Sequence, residues 1–524
     1  MRKLFINGTI LTMNDNQPQT EAVLIKDGFI EATGSLRELR ALCGPKKAQE
    51  VDLAHHTLIP AFVDGHSHIL HCAQGLLFAQ LSETRTFQEI LDALKAYIDQ
   101  NHVAPGEWVI GTGYDPERLV EKAHPTRALL DALKDWPVLV TADSGHMGCL
   151  NGFALRLAGI DAATPDPEGG RIGHEADGEP NGYLEEAAFT GVQRFIPPVT
   201  PQRLMEGLER AQRLYASYGV ATAQEGLLHP EDYDILKAAD ETGRLRLDVI
   251  GYADIRQRES FAHEQPNWGL RPGRFRIGGY KMFLDGSPQG RTAWLTKPYL
   301  PMDGQEAGYR GYPMMSLEEA RRYVEIAAEE KRQLLTHCNG DAAIDQLLDA
   351  HTAPCATRNV IVHAQTMRID QLSRAKALGL MPSFFVAHVQ RYGDQHIRNL
   401  GMERAALISP VGSAERLGLR YTLHQDTPVM PPDMAGTVSC AMRRVTEAGV
   451  PLGPQERVGL MAALRGVTAY GAYQYFEEAL KGAIKPGMRA DLAVMEGDWL
   501  GMPPEQLAHS RALATYKDGI ELPR

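Results

Sequence analysis

The pattern of apolar and polar positions changes character twice along the chain. Over the first sixty residues, short apolar runs alternate with turns: KLFING, TILTM, AVLIKDG, FIEATG and then HTLIPAFVDG. The Asn-Gly and Asp-Gly dipeptides between them are hairpin signals, because glycine tolerates the positive φ of a tight turn. The final stretch has the same flavour, with KGAIKPGMRADLAVMEG followed by RALATYKDGIEL. β-rich ends around a long middle predict that the two termini meet in one small β-domain.

The middle follows a different rule. TFQEILDALKAYIDQN, PQRLMEGLERAQRLYASYG and SLEEARRYVEIAAEEKRQ carry apolar residues at three- and four-residue spacing, the signature of amphipathic helices. Short apolar strands follow: VATAQEG, QLLTHCNG, NVIVHAQ, GLMPSFFV and RYTLHQD. Helix-then-strand alternation implies βαβ units and a parallel sheet. About eight such units between Pro60 and Tyr475 favour a (β/α)8 barrel over an open sheet. The expected organisation is a barrel over 60–479, with 1–59 and 480–524 forming the β-domain. The barrel span needs insertions, and residues 160–182 read as the most loop-like one.

Composition narrows the partners. A chain of 524 residues, 44% hydrophobic, can bury a large core, and its net charge of -12 disfavours nucleic acid or an anionic membrane surface. Asn7 and Gly8 break the N-terminal apolar run, which argues against a secretory signal, and no window suits a transmembrane helix. Six cysteines without CxxC spacing read as reduced thiols of a cytoplasmic protein.

The candidate chemistry begins at FVDGHSHIL. In an extended segment alternate side chains share a face, so His66 and His68 project together at a strand end. In a barrel, active residues gather at the C-terminal ends of strands. Lys281 in FRIGGYKMFLDGS, His337 ending QLLTH, His363 ending NVIVH and Asp426 ending YTLHQD each close or interrupt an apolar run. Each alone has an ordinary explanation: a hydrogen-bonded core histidine, a snorkelling lysine, an aspartate opening a turn. Their joint occurrence in barrel order does not. Imidazole and carboxylate suit zinc, with one or two ions expected per chain, and a bound metal makes hydroxide available at neutral pH. Burial would favour the neutral amine of Lys281, which can add carbon dioxide to give a carbamate bridging two metals.

The ordered blocks FINGTILTM, LIPAFVDGHSHIL, VTADSGHMGCLN, GEPNGYLEEAA, YKMFLDGSPQGRTA, THCNGDAAID, VIVHAQ, HQDTPV and GAIKPGMRADLAVME resemble the amidohydrolase superfamily of metal-dependent hydrolases, in its YtcJ-like, family 3 branch. The resemblance implies a distorted (β/α)8 barrel with a small β-sandwich from both chain ends. It implies metal ligation by His66, His68, Lys281, His337, His363 and Asp426, with Asp426 also moving the proton. His146 matches a histidine expected to face substrate, or else is a buried structural residue. Arg291 would orient a carbonyl or carboxylate, and Asp341 would do no more than cap the following helix. The implied reaction is cleavage of a small molecule's amide or cyclic amide C–N bond. Alternatives on the same scaffold are a mononuclear deaminase of an amino-substituted ring, an ester or carbamate hydrolase, or a non-catalytic assembly protein; a homodimer is a fold-level analogy.

Departures from the family pattern mark this chain. Ala61 in PAFVDG is harmless. Val362 stands where an acidic residue often precedes the histidine, leaving the outer support of His363 open. His424 and Gln425 replace small residues before the aspartate and bear on substrate choice. Cys338, beside His337, reads as an inert neighbour more than as a soft ligand.

Overall fold

The computed structural model describes residues 2–44, 48–142, 146–262, 273–302 and 308–523. The chain forms two compact units, Met1–Leu70 with Ala211–Arg524, and His71–Arg210.

In the first unit the chain ends pair strand against strand. Leu492–Met495 and Thr57–Pro60 are buried along their whole length and run antiparallel, Val494 opposite Leu58. They lie at the centre of a six-stranded sheet whose other strands are Thr9–Leu11, Gln19–Thr20, Ala512–Lys517 and Ile520–Glu521. A four-stranded sheet orders Phe29–Gly34, Ala22–Lys26, Arg2–Ile6 and Gln49–Asp52. Phe5 and Val23 from this sheet share a buried cluster with Leu58, Leu492 and Tyr516 from the other.

The same unit holds an eight-stranded parallel sheet in sequential order: β1 (Phe62–Val63), β2 (Val220–Leu228), β3 (Asp248–Asp254), β4 (Phe275–Phe283), β5 (Gln333–Cys338), β6 (Val360–His363), β7 (Met381–Phe384) and β8 (Thr422–Leu423). These strands are buried almost throughout, as expected of parallel strands covered on both faces. Helices make the crossovers. Leu317–Glu329, between β4 and β5, starts where Ser316 Oγ accepts from the Glu319 N–H, and buries Ala320, Val324 and Ala327 on one face. Asp341–Ala350 and Ile369–Leu378 follow β5 and β6.

The edges β1 and β8 approach each other beyond their last paired residues. Asp426 N–H donates to His66 O at 3.2 Å, and His68 N–H donates to Thr427 O at 2.8 Å. Gly65 makes this approach possible, since a Cβ there would lie 2.7 Å from the Thr422 side chain. The result is an α/β fold around a curled parallel sheet.

The second unit carries its own six-stranded sheet, in the order Gly170–His174, Pro180–Glu186, Met147–Leu150, Val138–Ala142, Val109–Tyr114 and Ala79–Gln80. Helix Phe87–Asn101 packs Ile90, Leu94 and Ile98 into its core. Residues 160–182, expected as loop, contain most of an antiparallel hairpin instead. Ile172 pairs with Leu184 and both are buried, so this one pair gives the hairpin an apolar anchor amid glycines and acids.

Candidate metal centre

The ends of β1 and β8 bring two imidazoles and one carboxylate together. His66 Nε2 and His68 Nε2 each lie 3.5 Å from Asp426 Oδ1. His66 Nδ1 lies 2.6 Å from Gln224 Oε1, whose own amide nitrogen is committed to Gly65 O and the Tyr475 hydroxyl. The proton of His66 must therefore sit on Nδ1, and its Nε2 carries a lone pair. His68 Nδ1 faces the buried Glu225 carboxylate at 3.4 Å, which places its proton on Nδ1 as well.

Burial keeps these rings neutral. It holds His66 well below the usual imidazole range, reinforced by the Lys281 charge, and lowers His68 to about 4 despite Asp426. Two imidazole lone pairs then converge on one carboxylate oxygen. Asp426 Oδ1 is buried and makes no hydrogen bond among the described residues. A cation reconciles that arrangement. Ligands 2.0–2.1 Å from a tetrahedral zinc lie about 3.3 Å apart, close to the spacings here. The ligand atoms of His66, His68 and Asp426 all fall within 4.8 Å of one another.

The other strand-end residues converge on the same place. Lys281, on β4, is wholly buried with Nζ 3.3 Å from His66 Nε2, and burial lowers its ammonium to about 8. His363, at the end of β6, directs Nε2 toward Asp426 Oδ2 at 4.0 Å. His337, at the end of β5, stacks edge-on against His363 with ring centroids 4.6 Å apart. Its Nδ1 faces Asp285 Oδ1 at 3.3 Å, and Asp285 is fixed by the N–H groups of Trp294, Asn339 and Gly340. His363 and Asp426 have left-handed backbones, with φ of 70° and 55°. Such conformations in non-glycine residues cluster at functional sites.

The remaining expected residues have the following surroundings. His146 lies in the second unit, exposed, with Nδ1 3.1 Å from Glu186 Oε2, so it is not a buried structural histidine. Arg291 is buried, and its guanidinium donates to Leu300 O at 2.6 Å and to Asn399 Oδ1 at 3.3 Å. Asp341 is not the helix cap: Gly340 holds that position, while Asp341 accepts from Thr296 N–H and pairs with Arg368 at 3.0 Å. Cys338 points away from His337 along the strand, and burial pushes its thiol well up, so it stays protonated. The six cysteines form no disulfide bonds among the described residues.

The residues that orient the cluster lay unmarked in the sequence. Gln224 and Glu225 lie in the middle of β2, Asp285 follows β4, and Ser383 lies in β7 beneath His424. Gly226 is equally specific, because a Cβ there would lie 2.5 Å from the His66 ring.

Comparison with known proteins finds relatives over nearly the whole chain. Residues 49–521 match the model of the amidohydrolase family. The amidohydrolase YtcJ of Bacillus subtilis (strain 168) is 28% identical over 97% of this chain and 96% of its own. The N-substituted formamide deformylase of Arthrobacter pascens is 26% identical over 99% of this chain and 97% of its own. Uncharacterized metal-dependent hydrolases from Pyrococcus furiosus and Pyrococcus horikoshii OT3 share the fold, with TM-scores of 0.75 and 0.76 at 24% identity, each over 96% of this chain and 100% and 99% of theirs. With the family model spanning nearly all of its residues, the chain belongs to the amidohydrolase family.

Proposed function

We propose that this protein is a metal-dependent hydrolase that cleaves the C–N bond of an amide-like small molecule. The observation that carries the reading is the unpartnered Asp426 Oδ1 facing the Nε2 atoms of His66 and His68 at 3.5 Å. These residues would hold one divalent ion, with His337 and His363 holding a second and Lys281 serving as a further ligand. Zinc suits the imidazole-rich set. A bound ion lowers the pKa of water from 15.7 to about 7 and polarises a carbonyl.

The chain's own residues supply the rest. Gln224 and Glu225 keep the Nδ1 protons of His66 and His68 in place, so that both Nε2 atoms stay available. Asp426 accepts the proton of the attacking water and returns it to the leaving nitrogen. Lys281, lowered to about 8, offers more neutral amine at pH 7 than an exposed lysine. That amine adds carbon dioxide, losing one proton, to give an anionic carbamate. The formamide deformylase among the full-length relatives supports C–N cleavage as the reaction class.

The test is hydrolysis of a panel of N-substituted formamides, N-acyl amino acids and cyclic amides by protein stripped with chelator and reloaded with zinc. Amine release that disappears on stripping and returns on reloading is expected. Release of ammonia from amino-substituted rings, with the amides untouched, would replace this reading with a deaminase.

A further inference from the structure

His424 stands inside the cluster, yet the hydrolytic reading gives it no task. It is wholly buried with both ring nitrogens engaged: Nδ1 lies 2.8 Å from Ser383 Oγ, and Nε2 lies 3.1 Å from His363 Nδ1. A neutral imidazole has one N–H and one lone pair. A hydrogen bond between two imidazole nitrogens therefore fixes both tautomers at once. With the shared proton on His363 Nδ1, His363 Nε2 keeps a lone pair for a cation. His424 then accepts at Nε2 and donates from Nδ1 to Ser383. With the shared proton on His424 Nε2, the His363 Nε2 becomes an N–H and cannot ligate. The two arrangements exclude each other.

We propose that His424, seated on Ser383, is the positioning residue that selects the ligating tautomer and ring orientation of His363. This rests on the metal reading above. The backbone gives the ring a reason to need such a partner: His363 and Ala364 both leave the strand conformation, with φ of 70° and 46°, and the preceding Val362 is an apolar, buried residue. Metal-binding histidines usually donate their second N–H to a carboxylate or carbonyl. An imidazole lone pair accepts the same hydrogen bond without placing another negative charge close to Asp426.

The test measures zinc affinity by competition with a chromophoric chelator, on wild type and on three variants. His424→Met fills the volume without an acceptor and is expected to bind about 10–100-fold more weakly. His424→Gln restores an acceptor oxygen and is expected to return affinity close to wild type. Ser383→Ala frees the His424 tautomer and is expected to fall between them. Nitrogen-15 spectra of the imidazoles in zinc-loaded wild type need no variant to fold, and are expected to show both His424 and His363 protonated on Nδ1. Unchanged affinity in His424→Met, or His424 protonated on Nε2, would overturn the proposal. Failure of wild type to bind zinc would overturn the metal reading and this inference with it, whereas tight binding by wild type and His424→Met alike would remove only the inference.

Discussion

Lys517 and Lys281, both buried in the first unit, are pushed in opposite directions by their surroundings. Lys517 is 1% exposed; burial alone would lower its ammonium, but Asp248, Asp491 and Asp518 outweigh burial and raise it. Its Nζ lies 2.7 Å from Asp248 Oδ2 and 2.5 Å from Asp491 Oδ2, and Lys481 joins the network through Asp248, Glu477 and Thr222. Asp248 opens β3, so this network sits at the N-terminal ends of the strands, where a barrel invests in stability. Lys281 is equally buried but lowered to about 8, because Asp426 offsets burial only in part. The difference teaches how to tell a buried ion network from a ligand site. The first closes on its own charges, while the second leaves lone pairs facing each other and waits for a cation.

The contrast can be broken most forcefully from the catalytic side. Asp426→Asn should lower kcat/KM for the amide substrate about 10²–10⁴-fold, the range for a lost general acid–base group, while the melting temperature holds. A matching loss of melting temperature would place Asp426 with the structural network. Asp248→Ala should do the reverse, taking from Lys481 and Lys517 the carboxylate they share and leaving them Glu477 and Asp491, at a cost of about 3–5 kcal/mol in urea unfolding, with metal content per folded chain unchanged.

The pH dependence of stability sharpens the comparison further. For Lys517 the folded pKa is raised above the ordinary 10.5, so its stabilisation is complete below that value and is lost as pH rises through the folded one. Lys281 in metal-free protein runs the other way. Its folded value of about 8 lies below 10.5, so the cost of burying its charge is complete below pH 8 and vanishes as pH rises toward 10.5. The difference between 10.5 and about 8 corresponds to roughly 3 kcal/mol. Metal-free Lys281→Met should therefore be more stable than wild type at pH 7, with the advantage shrinking by pH 10. A variant equally destabilised at both pH values would contradict this. The smallest effect belongs to His146→Gln: its pair with Glu186 is largely exposed, so stability should move by less than about 1 kcal/mol. A rise in KM there would give His146 the substrate-facing role expected from sequence.

Much of the cluster was legible because a parallel sheet follows a simple rule: polar residues at or near the C-terminal ends of buried apolar strands point to the active face. His66, His68, Lys281, His337, His363 and Asp426 all announce themselves in that way, and the structure brings them together. Gln224 and Glu225 lie inside β2 and Asp285 two residues beyond β4, so none of them closes a strand, and their chemistry is less distinctive. Their partners are also remote in sequence, Glu225 lying 157 residues from His68. His424 was visible as a departure from the family pattern, but its bond to His363 depends on two strand ends that no local pattern relates. The hairpin within 160–182 was missed for another reason. Its anchor is the single cross-strand pair Ile172 and Leu184, too sparse to register as strand periodicity. Asp341 shows the limit of reading caps from residue type, since Gly340 takes the cap and Asp341 turns to Thr296 and Arg368.

The central claim is that the unclosed cluster at the strand ends is a metal centre. Its most direct test is metal content by mass spectrometry on wild type and Lys281→Ala, each purified without added metal. The account predicts about two divalent ions per wild-type chain, as in two-metal sites, falling to one or fewer in the variant. A wild-type chain free of metal and unable to take it up would contradict it, and would return the cluster to the same standing as the closed network around Asp248.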